Sequence, residues 1–172
     1  HWAKLNNLKQ AAKTMNFLTE HGISSYGELE GKLSTVSARR DTAHAEIKRI
    51  ESRSAKLTLV MKHATTYRQL KPIYDRYRKS GDKEKFLRGH ESEIILFEAA
   101  ARELKRLGAV PLPTTESMKT ELAKLNAEKE RLLTEYKTAR TEAQEYDTVK
   151  QNVDALLAVP KEQEQQRRHE LE

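Results

Sequence analysis

The sequence predicts an all-α fold: an elongated antiparallel coiled-coil hairpin of two long helices, with a small helical head at the tip and an additional N-terminal helix. Three observations carry that expectation. Two long stretches, about fifty residues apart, place apolar residues at alternating four- and three-residue steps. Only six Gly and four Pro interrupt 172 residues. No run alternates apolar and polar residues with period two, and the β-branched residues are scattered, so no strand is expected.

Composition agrees. Charged residues make up 34% and hydrophobic residues 37% of the chain, where a compact domain has about a quarter and about 45–50%. That is too little apolar matter for one thick core, but enough for helices that each bury one narrow seam. The absence of Cys excludes a disulfide framework and Cys-ligated metal sites, and fits a reducing compartment. No apolar run approaches the roughly 18–20 residues that span a bilayer, so no membrane insertion is expected. No signal-peptide pattern opens the chain. It begins at His1 rather than Met and so reads as a piece of a longer protein, with Leu171-Glu172 as a cloning remnant.

The first helix is expected to turn Trp2, Leu5, Leu8, Ala12, Met15 and Leu18 inward, since these sit at helical spacings. Gly22 ends it, because glycine accepts the left-handed C-cap conformation at little cost, and Ile23 can pack back across the turn. Ser25 and Glu28 then have capping-box spacing. The helix that follows carries the first long seam: Leu29, Leu33, Val36, Arg40, Ala43, Ile47, Ile50, Ser54, Leu57, Met61 and Ala64. A seam stays on one side over five heptads only if the helix supercoils.

Pro72 lies within the continuing pattern of Tyr67, Leu70, Ile73, Tyr74 and Tyr77, and predicts a kink or short break near Lys71. Ser80-Gly81-Asp82 closes this stretch, and Asp82 can cap a short turn through Phe86 and Leu87. A third helix is expected over about 90–107, with Ile94, Ile95, Phe97, Ala101, Leu104 and Leu107 inward. Gly108 ends it, and Pro111 and Pro113 keep the linker non-helical. Thr114 caps the fourth helix, whose seam reads Met118, Leu122, Leu125, Lys129, Leu132, Tyr136, Ala139, Ala143, Tyr146, Lys150, Val153 and Leu157. Pro160 ends that pattern. The organisation expected is therefore an N-terminal helix over 1–22, a stem of 23–64 and 114–159, a basic head over 65–113 and a polar tail over 160–172.

Catalytic motifs do not emerge. None of the six histidines pairs with another at metal-ligand spacing, and His90-Glu91 begins an HExxH pattern whose second His position holds Ile94. There is no glycine-rich phosphate loop and no nucleophile elbow. Glu121, Glu128, Glu135, Glu142 and Glu145 lie among Lys124, Lys129 and Arg131, the pattern of a solvated, ion-paired helix face. No cofactor or metal is expected. Lysines at seam positions read as register markers whose stems lie along the seam.

Charge is the one feature with functional content. Residues 62–88 hold nine basic side chains (Lys62, Arg68, Lys71, Arg76, Arg78, Lys79, Lys83, Lys85 and Arg88) against Asp75, Asp82 and Glu84. Tyr67, Tyr74, Tyr77 and Phe86 interleave with them. Cations neutralise phosphates and release counterions, and aromatic faces stack on unpaired bases, so this pattern suits DNA. The tyrosines also fit a plain role as core residues of the head, and the basic residues one as solubilising surface.

Four stretches together resemble a known family: HGISSYGELEGKL (21–33), YRQLKPIYDRYRKSGDKEKFLRGHESEIILFEAAARELKRLG (67–108), LPTTESMKTELAKLNAEKERLLTEY (112–136) and VKQNVDALL (149–157). They are similar to the helical region downstream of the nuclease domain in mobilisation-type relaxases, the DNA-nicking proteins of conjugative and mobilisable elements. Pro72 departs from the helix-friendly residue expected there. Such relaxases cut one strand with a tyrosine beside a His-rich metal motif. No His-hydrophobe-His motif exists here, and no catalytic tyrosine of the family maps onto Tyr26 or Tyr67. The resemblance implies a cytoplasmic, DNA-associated context with relaxosome or coupling proteins as partners. The expected role is a non-catalytic accessory domain. The alternative is a coiled-coil spacer or dimerisation element without DNA contact.

Overall fold

In a computed structural model the chain forms four helices: α1 (Trp2–Glu20), α2 (Tyr26–Lys79), α3 (Lys83–Arg106) and α4 (Thr115–His169). The structure describes the backbone of residues 2–169 and the side chains of 8–158, and no strand occurs among them. The helices divide into two compact units, one of His1–Ala45 with Leu132–Glu172 and the other of Glu46–Arg131. α2 and α4 contribute to both.

Local chemistry sets the helix ends. After α1 the Ile23 N–H donates to Leu18 O (2.8 Å) and the Gly22 N–H to Thr19 O (3.1 Å), with Gly22 at φ 61°. This is a Schellman closure, and it needs the left-handed residue that glycine supplies. The same closure ends α3, where Ala109 N–H donates to Leu104 O (2.9 Å) and Gly108 has φ 71°. α2 opens on a capping box: Glu28 N–H donates to Ser25 Oγ (3.2 Å), while the Glu28 carboxylate accepts from Ser25 N–H (3.3 Å) and Ser24 N–H (2.7 Å). Asp82 accepts from Lys85 N–H (3.0 Å) at the start of α3, and Thr114 from Ser117 N–H (3.1 Å) at the start of α4.

In the first unit Leu29 and Val36 of α2 pack with Ala139, Ala143, Tyr146 and Val149 of α4, and Phe17, Leu18 and Ile23 cover them. The two helices run in opposite directions there: Glu30 pairs with Lys150, and Arg39 with Glu142. Tyr26 adds a clasp, its hydroxyl donating to Asp154 (2.6 Å) while the Lys150 ammonium lies 5.1 Å from its ring centre. In the second unit Val60 and Ala64 of α2 meet Leu104, Ala109 and Met118, with Leu57, Met61, Tyr67, Leu107 and Leu112 around them. Opposite directions recur, with Glu51 against Lys129 (2.7 Å) and Arg53 against Glu121. Lys129 and Lys150 thus reach acidic residues of the facing helix from seam positions, as snorkelling side chains do. Ser54, also in the seam, buries its Oγ without a hydrogen-bond partner among the described residues.

Several expectations are corrected. α1 does not turn Leu8, Ala12 and Met15 inward; Leu8 is 72% and Met15 60% exposed. The Schellman turn fixes Leu18 against the core, and that phase brings Thr14 (1% exposed) and Phe17 to the same side. Phe17 then stacks on His21 (4.0 Å between ring centres) and meets the Tyr146 ring edge-on (5.2 Å). The side chains of Trp2 and Leu5 lie outside the described residues. Ile95 faces outward at 55% exposed, and Ala100 takes an inward place on α3. α3 begins at Lys83 and is interrupted only at His90 (φ −140°, ψ 23°), so the expected short turn and third helix form one element with a kink.

Pro72 does not break α2, which continues to Lys79. The proline is exposed while Leu70, Ile73 and Tyr74 are half-buried, so packing on one side holds the helix. Pro160 does not end α4 either, which runs to His169. Leu157 is exposed rather than in the seam, because α2 begins at Tyr26 opposite Asp154 and offers nothing beyond it.

The capping box makes stability pH-dependent. The Ser24 backbone and hydroxyl, followed by the Ser25 N–H, hold the Glu28 carboxyl below its ordinary range. A carboxyl with a depressed folded-state value contributes stability that is complete above its unfolded-state value and lost as pH falls through the folded one. Glu28→Gln should therefore be less stable than the parent chain near neutral pH and converge with it in acid. Thermal melts across a pH series check this, and a gap that does not change with pH would contradict it.

Candidate functional site

All nine basic residues singled out in 62–88 are exposed and belong to the second unit, but the fold uses them differently. Arg68 is spent internally: its guanidinium donates to Pro113 O and to Thr115 Oγ1 (2.8 Å), tying α2 to the start of α4. Lys71 pairs with Asp75 one turn on (2.7 Å), a contact that raises the lysine above its ordinary range. Lys62 stands apart on α2, more than three turns before Arg76. Arg76, Arg78 and Lys79 occupy the last turn of α2. Lys83 and Lys85 lie in the first turn of α3, with Arg88 in the second. These six flank the Ser80-Gly81-Asp82 turn along the chain, and none of them forms an ion pair among the described residues.

Of the nearby anions, Asp75 is neutralised by Lys71, while Asp82 receives the Lys85 backbone N–H and keeps its charge. Asp82 and Glu84 therefore stand against six unpaired cations, a net positive field beside one helix–helix turn. A shallow cleft of about 350 Å³ opens there, lined by Ser80, Asp82, Lys85, Phe86, Gly89 and His90. A larger groove of about 520 Å³ lies in the first unit, among Gln10, Thr14, Phe17 and Asn152. It holds none of the cations of 62–88. Within it Gln10 donates to Asn152 (3.3 Å) and Asn152 to Thr14 (3.2 Å).

The aromatic residues of the stretch form part of the second unit's packing. Tyr67 and Tyr74 both stack on Phe97, with ring centres 4.7 and 4.1 Å away and planes within 23° and 22°. Tyr77 lies 6.0 Å from Tyr74 and 6.2 Å from Phe86, whose ring meets His90 at 4.7 Å. Aromatic pairs at such separations add about 0.5–1.5 kcal/mol each beyond their burial. Phe97, 6% exposed, is the ring on which this set converges. Its inward position is legible from spacing, whereas its partnership with two tyrosines of α2 is not.

Among the described residues no group of three or more His, Asp or Glu side chains is placed to hold a metal ion, and no helix is long and apolar enough to cross a membrane. Compared with protein-family models, with curated proteins and with solved structures, the chain matches none.

Removing the central ring should disassemble the aromatic set while leaving every cation in the sequence. Phe97→Ala should cost about 3–5 kcal/mol, as large-to-small changes in a packed site do. Urea denaturation checks this as a fall in midpoint at constant slope; a loss under about 1 kcal/mol would mean that the rings contribute little packing.

Proposed function

We propose that the chain is a non-catalytic helical accessory module of a mobilisation-type relaxase, acting in the cytoplasm, where its basic stretch holds DNA through phosphates and helps assemble relaxosome or coupling proteins. The observation that carries the DNA contact is where the six unpaired cations lie. Basic residues at the C-terminal end of α2 oppose the helix dipole and so serve the fold as well as a ligand. Lys83 and Lys85 occupy the first turn of α3, where the dipole already presents positive charge. The helix dipole gives them no stabilisation there, whereas a polyanion would. The sequence resemblance supplies the relaxase context. In this reading 29–64 and 118–157 form one antiparallel coiled-coil hairpin, with the basic stretch in a head at its tip; the opposed helix directions within each unit support it.

A purely structural spacer or dimerisation element is the second reading. Arg68 and Lys71, both spent on contacts inside the unit, favour it to the extent that part of the basic stretch serves packing.

Binding should be weak, largely independent of sequence and strongly salt-dependent. With about four phosphates neutralised, the log–log slope of affinity against salt should be near about −3 to −4. Replacing Arg76, Arg78, Lys79 and Lys83 by Gln should flatten the slope without loss of helix content; no binding by the intact chain at low salt would leave the spacer reading in place. The same protein, with or without divalent metal, should leave a transfer-origin strand uncut, and cleavage abolished by a point mutation within the chain would refute the non-catalytic role. For the hairpin, cysteines placed beside Ala43 and beside Ala139 should crosslink within one chain. Crosslinks found only between chains would make the coil intermolecular.

A further inference from the structure

We infer that the basic stretch is built for double-stranded rather than single-stranded DNA, an inference that rests on the phosphate-binding reading above. Proteins that hold single strands without sequence preference combine cations with aromatic faces on which bases stack, and each stacked base is worth about 1–3 kcal/mol. The sequence offers both ingredients in alternation, and the structure separates them. Tyr67 and Tyr74 each spend a ring face on Phe97. Tyr77 is wedged between Tyr74 and Phe86, and Phe86 against His90. All four rings of the stretch are half-buried. Arg76, Arg78, Lys79, Lys83, Lys85 and Arg88, by contrast, are exposed and unpaired among the described residues.

What faces outward is therefore charge without a stacking platform. Such a surface reads phosphate density, and a duplex carries one negative charge per about 1.7 Å of axis. Counterion release follows the same order, with a salt slope of about −0.9 per phosphate for duplex and about −0.7 for single strands. For about four phosphates the difference in slope alone amounts to about tenfold in affinity at about 50 mM salt. With no stacking to offset it, the duplex should win by about that factor.

The test is fluorescence anisotropy of the 172-residue chain with a labelled duplex of about 24 base pairs and with each of its separated strands, over a salt series. The expected result is tighter duplex binding, by about tenfold at about 50 mM salt, and a steeper slope for the duplex. Tyr77→Leu, checked for helix content, should leave duplex affinity within about twofold, since that ring has no role in phosphate contact. Single strands bound as tightly as the duplex, or more tightly, would overturn the inference while leaving the phosphate-binding reading intact. Binding to neither would overturn both.

Discussion

The alternation of four- and three-residue steps along α2 and α4 is the constraint on which the rest depends. It keeps one narrow stripe of each helix in contact with its neighbour in each unit, and small residues in that stripe let the helices approach closely. Ala43, Ala64, Ala139 and Ala143 are all nearly inaccessible. Leu29 and Met118, the largest fully buried apolar side chains, fill the space around them. Burial of a Leu or Met side chain is worth about 1.5–3 kcal/mol. The charged pairs across the same helices, such as Glu51 with Lys129 and Glu30 with Lys150, are partly exposed, and such pairs contribute about 0–1 kcal/mol each. The apolar stripe therefore supplies the stability, and the ion pairs select the register in which it is buried.

How much of this could be read from the sequence depended on how local the cause was. The helix ends were legible because a cap is decided within a few residues: Gly22 and Gly108 supply left-handed backbone, and Glu28, Asp82 and Thr114 reach N–H groups three or four positions away. The seams were legible because the pattern runs unbroken over many turns. α1 was not, because it carries apolar residues around more than one side, and only its turn into α2 decides which side is buried. Leu8 and Met15 ended outside for that reason, and on α3 Ile94 rather than its neighbour Ile95 took the inward place, since helical spacing alone does not rank two competing faces. Proline misled twice. At Pro72 and Pro160 a general preference against helix interiors was outweighed by the continuity of the helix on either side.

The candidate site was legible as a cluster but not as a division of labour. Nine cations in 62–88 stand out by count alone. That Arg68 is drawn inward depends on Pro113 and Thr115, more than forty positions along the chain. The tyrosines are packed because Phe97, on α3, presents the ring they stack on. No property of 62–88 by itself distinguishes a ring that awaits a base from a ring that already has a partner.

The magnitudes favour reading the remaining charge as serving a partner. A cation in the last turn of a helix gains about 0.3–1 kcal/mol from the dipole, so Arg76, Arg78 and Lys79 can be explained by the fold alone. The sign reverses at the start of the next helix, where Lys83 and Lys85 each face a comparable small penalty that the capping Asp82 and Glu84 offset in part. Placing six like charges around one short turn adds mutual repulsion that no ion pair among the described residues relieves. Local choices that work against local stability are expected where a site serves something outside the fold. On the proposed reading, a phosphate backbone would add anions beyond Asp82 and Glu84 and turn the remaining repulsion into attraction.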